Sequence, residues 1–120
     1  RDYIHYFEGP AEMEPNDTYL LANGPLRSGR DYSGFPDDDK DYFSIYLRND
    51  GQITIDLSNH TGTGVQLQLF YQNTSNRVGV DMDAPYQIKY TGAAGWYYIY
   101  VYTAGSYNSS TPYTLRATYP

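Results

Sequence analysis

Two short stretches of the 120-residue chain concentrate side chains able to do chemistry: Glu12-Met13-Glu14-Pro15-Asn16-Asp17 and Asp37-Asp38-Asp39-Lys40-Asp41-Tyr42. In an extended backbone alternate residues project to one side, so Glu12, Glu14 and Asn16 share a face. Carboxylates packed this densely repel one another. A hard divalent cation, which gathers about six to eight oxygen ligands, relieves that repulsion. Calcium suits the ligand types. Magnesium keeps its water and a stricter octahedron, while zinc or copper would draw on imidazole or thiolate. The chain offers only His5 and His60 and no Cys. Neither stretch has EF-hand spacing, so a cation site would join segments distant in sequence. The other reading of such runs is a solvated acidic loop, and at this point both stand.

A third chemically distinctive stretch is Trp96 to Thr103. Ile99 and Val101 demand an interior and carry Tyr97 with them, so alternation sets Trp96, Tyr98, Tyr100 and Tyr102 on the opposite face, with Tyr107 in the loop beyond. Exposed contiguous aromatics mark binding surfaces, and Tyr and Trp dominate such contacts. Cross-strand pairing within the sheet is the structural alternative. A row of this kind also suits stacking on pyranose rings, with Gln66, Gln68, Asn108, Ser109 and Ser110 as polar neighbours.

Catalytic arrangements are missing from the sequence. There is no G-x-S-x-G elbow, no phosphate-binding glycine loop and no dinucleotide fingerprint. His60 sits in an Asn59-His60-Thr61-Gly62 turn, and a glycosidase would need two carboxylates across a cleft. A non-enzymatic role is expected.

The elements that must position these groups follow from composition and period. Formal net charge is −6, and Leu, Ile, Val and Phe together number only 22, a share that leans towards disorder. Sixteen Tyr and one Trp argue against disorder and imply a core thickened by tyrosine. Scattered basic residues make nucleic acid a poor partner, and no apolar run approaches the roughly 20 residues of a membrane span. One domain is expected, from residue 11 to 120, after a linker at 1–10 that ends in Gly9-Pro10. The start at Arg1 suggests a piece of a longer protein.

The period is two almost throughout, predicting an all-β fold. Phe43, Ile45 and Leu47 alternate with polar or aromatic neighbours, as do Ile53, Ile55 and Leu57. The turn Asn49-Asp50-Gly51 between them predicts a hairpin. Further strands are expected at 65–71, near Tyr86 to Tyr90, at 96–103 and at 113–118, with weaker signals near Leu26 and Val78. Seven or eight short strands suit a two-sheet sandwich or jelly roll.

Glu12-x-Glu14-Pro15-Asn16-Asp17, Asp38-x-x-Asp41-Tyr42-Phe43-x-Ile45 and Gly95-Trp96-Tyr97-Tyr98-Ile99-x-Val101-Tyr102 together resemble the bacterial pre-peptidase C-terminal domain, whose members include the collagen-binding domains of clostridial collagenases. The resemblance runs from about Glu12 to Ala117. It implies a secreted, non-catalytic, jelly-roll β-sandwich attached to a protease or other hydrolase in the same chain. By the resemblance, Ca2+ would be held by Glu12, Glu14, Asn16, Asp17, Asp38 and Asp41, with carbonyls near Ser33 and Tyr42. Calcium would then clamp the N-terminal segment. The expected partner is an insoluble extracellular substrate, collagen by the resemblance or polysaccharide by the aromatic row, met by a monomeric domain; without either ligand the domain would be a structural or processing spacer. Tyr102 matches a collagen-contacting tyrosine of those members and Tyr100 a contacting aliphatic residue, while Ala104 stands where another tyrosine would be.

Overall fold

The structure, a computed structural model, describes residues 6–120. His5 lies outside them. Among the described residues are eight strands: β1 Arg30–Gly34, β2 Lys40–Leu47, β3 Gly51–Ser58, β4 Gln66–Tyr71, β5 Arg77–Asp81, β6 Tyr86–Gly92, β7 Gly95–Tyr102 and β8 Tyr113–Thr118. They form two four-stranded sheets, ordered β1-β8-β3-β6 and β2-β7-β4-β5, with every named pairing antiparallel. This is a jelly-roll sandwich, as the period-two pattern predicts.

Alternation decides which residues face inward. Phe43, Ile45 and Leu47 of β2, Ile99 and Val101 of β7, and Leu67 and Leu69 of β4 meet Ile53, Ile55 and Leu57 of β3 and Leu115 and Ala117 of β8 between the sheets. Tyrosine supplies the missing bulk. Tyr32, Tyr97 and Tyr113 are buried, and Tyr71, Tyr86 and Tyr90 pack against them at the margin. Their hydroxyls reach acceptors at the rim: Tyr97 donates to the Ala93 carbonyl at 2.7 Å and Tyr71 to that of Ala94 at 2.9 Å. That outlet makes a tyrosine core tolerable, because a buried hydroxyl without a partner is costly.

The hairpin expected across Asn49-Asp50-Gly51 does not form. β2 pairs with β7, whereas β3 pairs with β6 and β8 in the other sheet. The turn carries the chain across the sandwich, so the two alternating runs face each other through the core. Period-two alternation fixes which side is buried but not which strand lies alongside. The region near Val78 is a strand, β5. Leu26 is buried in an extended segment that forms no strand, and the neighbouring strand is β1, whose sequence carries little apolar signal.

The N-terminal segment closes one side of the sandwich. β1 and β2 are edge strands of opposite sheets. Ala11 bridges Ser33 in parallel along β1, with Ser33 N donating to the Pro10 carbonyl at 2.6 Å and Glu12 N to that of Ser33 at 2.7 Å. The chain then crosses to β2. There Tyr42 N donates to the Asn16 carbonyl at 2.8 Å, and Asn23 bridges Phe43, also in parallel. Both otherwise unpaired edges are thereby covered. Phe7 stacks on Tyr32 at 5.9 Å, so the end of the expected linker packs on the sandwich.

Candidate metal centre

The carboxylates gather where the N-terminal segment passes from one sheet to the other. Carboxylate oxygens of Glu12, Glu14 and Asp41 lie within 4.8 Å of one another, and those of Glu14, Asp17 and Asp38 do likewise. Glu14 belongs to both groups. The two acidic stretches singled out by spacing are thus one cluster, brought together by the Asn16–Tyr42 backbone contact and the start of β2.

Each position has a local cause. Alternation along β2 points Asp41 inward with Phe43, where its Oδ2 accepts a 2.7 Å hydrogen bond from the Tyr113 hydroxyl of β8. Glu12 accepts from Phe35 N at 2.8 Å and from the Asn16 amide at 3.0 Å. Asn23 locks the segment by pairing with the Met13 backbone, accepting from its N–H at 2.8 Å and donating to its carbonyl at 3.1 Å. Two oxygens remain buried without a hydrogen-bond partner among the described residues: Asn16 Oδ1 and Asp41 Oδ1. Buried polar atoms are almost always satisfied, so two orphans beside a knot of carboxylates make this a candidate ligand position.

The electrostatics agree. Burial, reinforced by neighbouring carboxylates, pushes Glu14 up to about 7 and Asp38 up to about 6. Asp41 and Glu12 are raised as well, first by burial; Glu12 is the next cause for Asp41. Five acids close together are a standing demand for positive charge.

This demand has a pH signature. Without a cation the folded domain holds protons that the unfolded chain releases, Asp38 from its usual 3.8 up to about 6 and Glu14 from 4.5 up to about 7. Stability from these groups is therefore fully present only below about pH 4 and is lost as pH rises through the folded values of about 6 and about 7. Thermal melts in EDTA are expected to show a lower melting temperature at pH 8 than at pH 5. A melting temperature in EDTA that climbs across that interval contradicts the assignment.

The carbonyls expected near Ser33 and Tyr42 already accept backbone hydrogen bonds, from Glu12 N and Asn23 N. Tyr113, Asn23, the Phe35 N–H and Gly34 were not legible as site residues. Gly34 matters because the position of a Cβ there would come within 2.9 Å of Glu12 Cδ and 2.5 Å of Tyr113 Cζ. Of these, only Asn23 carries a local signal that could have drawn notice, the Asn23-Gly24-Pro25 turn signature.

The aromatic row lies on the outer face of the β2-β7-β4-β5 sheet. Tyr97, Ile99 and Val101 point inward, while Trp96, Tyr98, Tyr100 and Tyr102 point outward and stay partly exposed. β2 adds a second row that sequence reading did not single out. Tyr42 stacks on Tyr100 with centroids 4.4 Å apart and planes 3° from parallel, and Tyr46 lies 4.9 Å from Trp96. Stacking face to face at the strand spacing means those two rings stand upright on the sheet, edges and hydroxyls outward. Tyr19 covers Tyr98 edge-on at 5.1 Å. Tyr107, 49% exposed, donates to the Thr103 and Ala104 carbonyls at the end of β7.

A jelly roll with a tyrosine-faced sheet and a carboxylate knot at its N-terminal seam defines a class of small β-sandwich module. Residues 39–103 match the family described as bacterial pre-peptidase C-terminal domain, and the chain belongs to that family. Domains of this family are accessory and non-catalytic, and they belong to secreted proteins. The match takes in Asp41, Tyr42 and the whole of β7 but not the Glu12–Asp38 part of the cluster. Among solved structures, the pre-peptidase C-terminal domain of a collagenase from Bacillus anthracis is similar with a TM-score of 0.64 at 19% identity, over 76% of this chain and 90% of that one. PliG of Aeromonas hydrophila, a periplasmic inhibitor of g-type lysozyme, is similar with a TM-score of 0.56 at 15% identity, over 76% of this chain and 83% of that one. At such identities these likenesses show a shared fold.

Proposed function

We propose that this is a calcium-clamped accessory domain of a secreted, extracellular hydrolase that holds an insoluble, collagen-like protein substrate on its tyrosine-faced sheet. The observation that carries the calcium half is the pair of orphaned buried oxygens, Asn16 Oδ1 and Asp41 Oδ1, within the carboxylate cluster. Oxygens bound across one calcium ion lie about 4.6–5.2 Å apart, a span that accommodates each group of three. Glu12, Glu14, Asn16 and Asp41 would hold one ion, and Asp17 and Asp38 would extend the site through Glu14. When bound, the ion supplies the positive charge the cluster lacks. The protein's own part is to fasten residues 10–17 across the two sheet edges.

Ring orientation supports a protein ligand over a polysaccharide. Pyranose stacking needs bare aromatic faces, whereas Tyr42 and Tyr100 each turn one face to the other and Tyr98 packs against Tyr19. Upright rings present hydroxyls and grooves, which suit the carbonyls and ridges of an extended or triple-helical polypeptide. The collagenase origin of one structural relative points the same way.

Co-sedimentation with insoluble collagen tests the reading. The parent domain should pellet with collagen, and Tyr100→Ser with Tyr102→Ser should weaken retention by about 30-fold or more, since truncating one tyrosine at a contact centre costs about 2 kcal/mol. Retention on insoluble polysaccharide and not on collagen would reverse the choice of ligand.

A further inference from the structure

At the end of β2 remote from the carboxylates lies a cavity of about 290 Å³ whose lining includes Arg27, Arg48, Tyr6, Tyr46, Tyr119 and Ser28, and no acidic residue. Asp41 lies near the start of β2 and Arg48 just beyond its end, seven residues on and about 23 Å away. The carboxylate cluster and this arginine-lined recess thus lie towards opposite ends of β2, and Asp50, two residues beyond Arg48, is engaged in accepting from the Ala94 N–H at 2.8 Å. Among the described residues the one ion pair is Arg116 with Asp31, so neither Arg27 nor Arg48 has an acidic partner there. Each guanidinium instead lies over a ring, Arg27 at 4.6 Å from the Tyr6 centroid and Arg48 at 5.9 Å from that of Tyr46. Such stacking fixes the plane of a guanidinium and leaves its N–H edge for an anion.

The wall of the recess is built. Ser28 Oγ donates to the Tyr119 carbonyl at 2.7 Å and accepts from Tyr119 N at 2.8 Å. Arg27 N donates to the Tyr32 hydroxyl at 2.9 Å, and the Tyr119 hydroxyl donates to the Leu26 carbonyl. Arg27 therefore sits on a backbone pinned to the sandwich on both sides.

We propose that this recess binds the carboxylate of an acidic side chain, aspartate or glutamate, on the polypeptide that lies along the tyrosine-faced sheet. Two exposed guanidiniums lining one recess match a carboxylate. Arg27 lies over one face of Tyr6 and Arg48 near one face of Tyr46, which disfavours a sugar acid that would stack there. Tyr46 also touches Trp96, the last member of the outer row, so the recess continues the proposed substrate track. The choice of a polypeptide rests on the function proposed above; the carboxylate site itself does not.

The test is NMR titration of the 15N-labelled full chain, reading the Arg27 and Arg48 side-chain Nε–H signals. The probes are a blocked Gly-Pro-Glu peptide, its Gln counterpart and methyl galacturonide. The Glu peptide should shift both signals and the Gln peptide should not, with affinity falling about tenfold in Arg27→Gln/Arg48→Gln. The same response should persist in Tyr100→Ser/Tyr102→Ser, so failure of the tyrosine track and failure of the recess are read separately. Silence to all three probes, equal response to Glu and Gln peptides, or a response to galacturonide alone would each overturn the proposal.

Discussion

Replacing Asp41 with Asn is expected to cut the calcium response to about a fifth of the parent's while leaving the cation-free domain at least as stable at pH 8 as the parent. Asp41 is 1% exposed, with one oxygen on the Tyr113 hydroxyl and the other without a partner. Without a cation, burial and the neighbouring Glu12 disfavour its charge, so its raised pKa makes it a cost to the folded state at pH 8. Asparagine keeps the shape and can still accept from Tyr113, but it removes the anionic donor at the centre of the cluster. Losing such a ligand should weaken calcium by about 100-fold or more. At a concentration 100 times the parent dissociation constant, bound calcium contributes about 2.7 kcal/mol, and a 100-fold weaker site only about 0.4 kcal/mol. Paired melts in calcium and EDTA should show a shift of about 10 °C for the parent and about 2 °C for Asp41→Asn. A variant that keeps the parent's shift contradicts the assignment of Asp41.

The second large effect is expected at Gly34. A methyl group there meets Tyr113 Cζ at 2.5 Å and Glu12 Cδ at 2.9 Å. Neither neighbour has room to retreat. Tyr113 is fully buried and donates to Asp41, and Glu12 is held by the Phe35 N–H. Gly34→Ala should therefore cost about 3 kcal/mol, the upper part of the overpacking range, and impair calcium binding at the same time. Denaturant unfolding in calcium and in EDTA separates the two losses. Parent-like values in both media would show that the seam is looser than the close approach at Gly34 implies.

Strand β7 was legible because Ile99 and Val101 cannot face water, and that one constraint orients all eight residues. Both acidic stretches were legible as one candidate cation site by residue type, and the jelly-roll class followed from the period. The partners were not legible. Tyr113 reads as an ordinary alternating strand residue, and only the pairing of β8 next to β1, with Asp41 across the core, makes it the hydrogen-bond donor that orients Asp41. Gly34 is silent in sequence because its role is a gap between two distant side chains. The β2–β3 turn misled for a related reason: Asn49-Asp50-Gly51 signals a reversal, and a reversal within one sheet or between two looks alike locally. Tyr42 was read as a source of a carbonyl, whereas its ring completes a stacked pair with Tyr100 that depends on β2 lying beside β7.

The central claim is that a cation fastens the N-terminal segment across the edges of both sheets. Amide hydrogen exchange at Glu12 and Tyr42 tests it most directly, because the first donates to Ser33 on β1 and the second joins β2 to Asn16. In calcium both amides should exchange at least about tenfold more slowly than in EDTA, beyond any change at core amides such as Ile55, as expected when a ligand suppresses local opening. Equal rates at both amides with and without calcium would contradict the clamp.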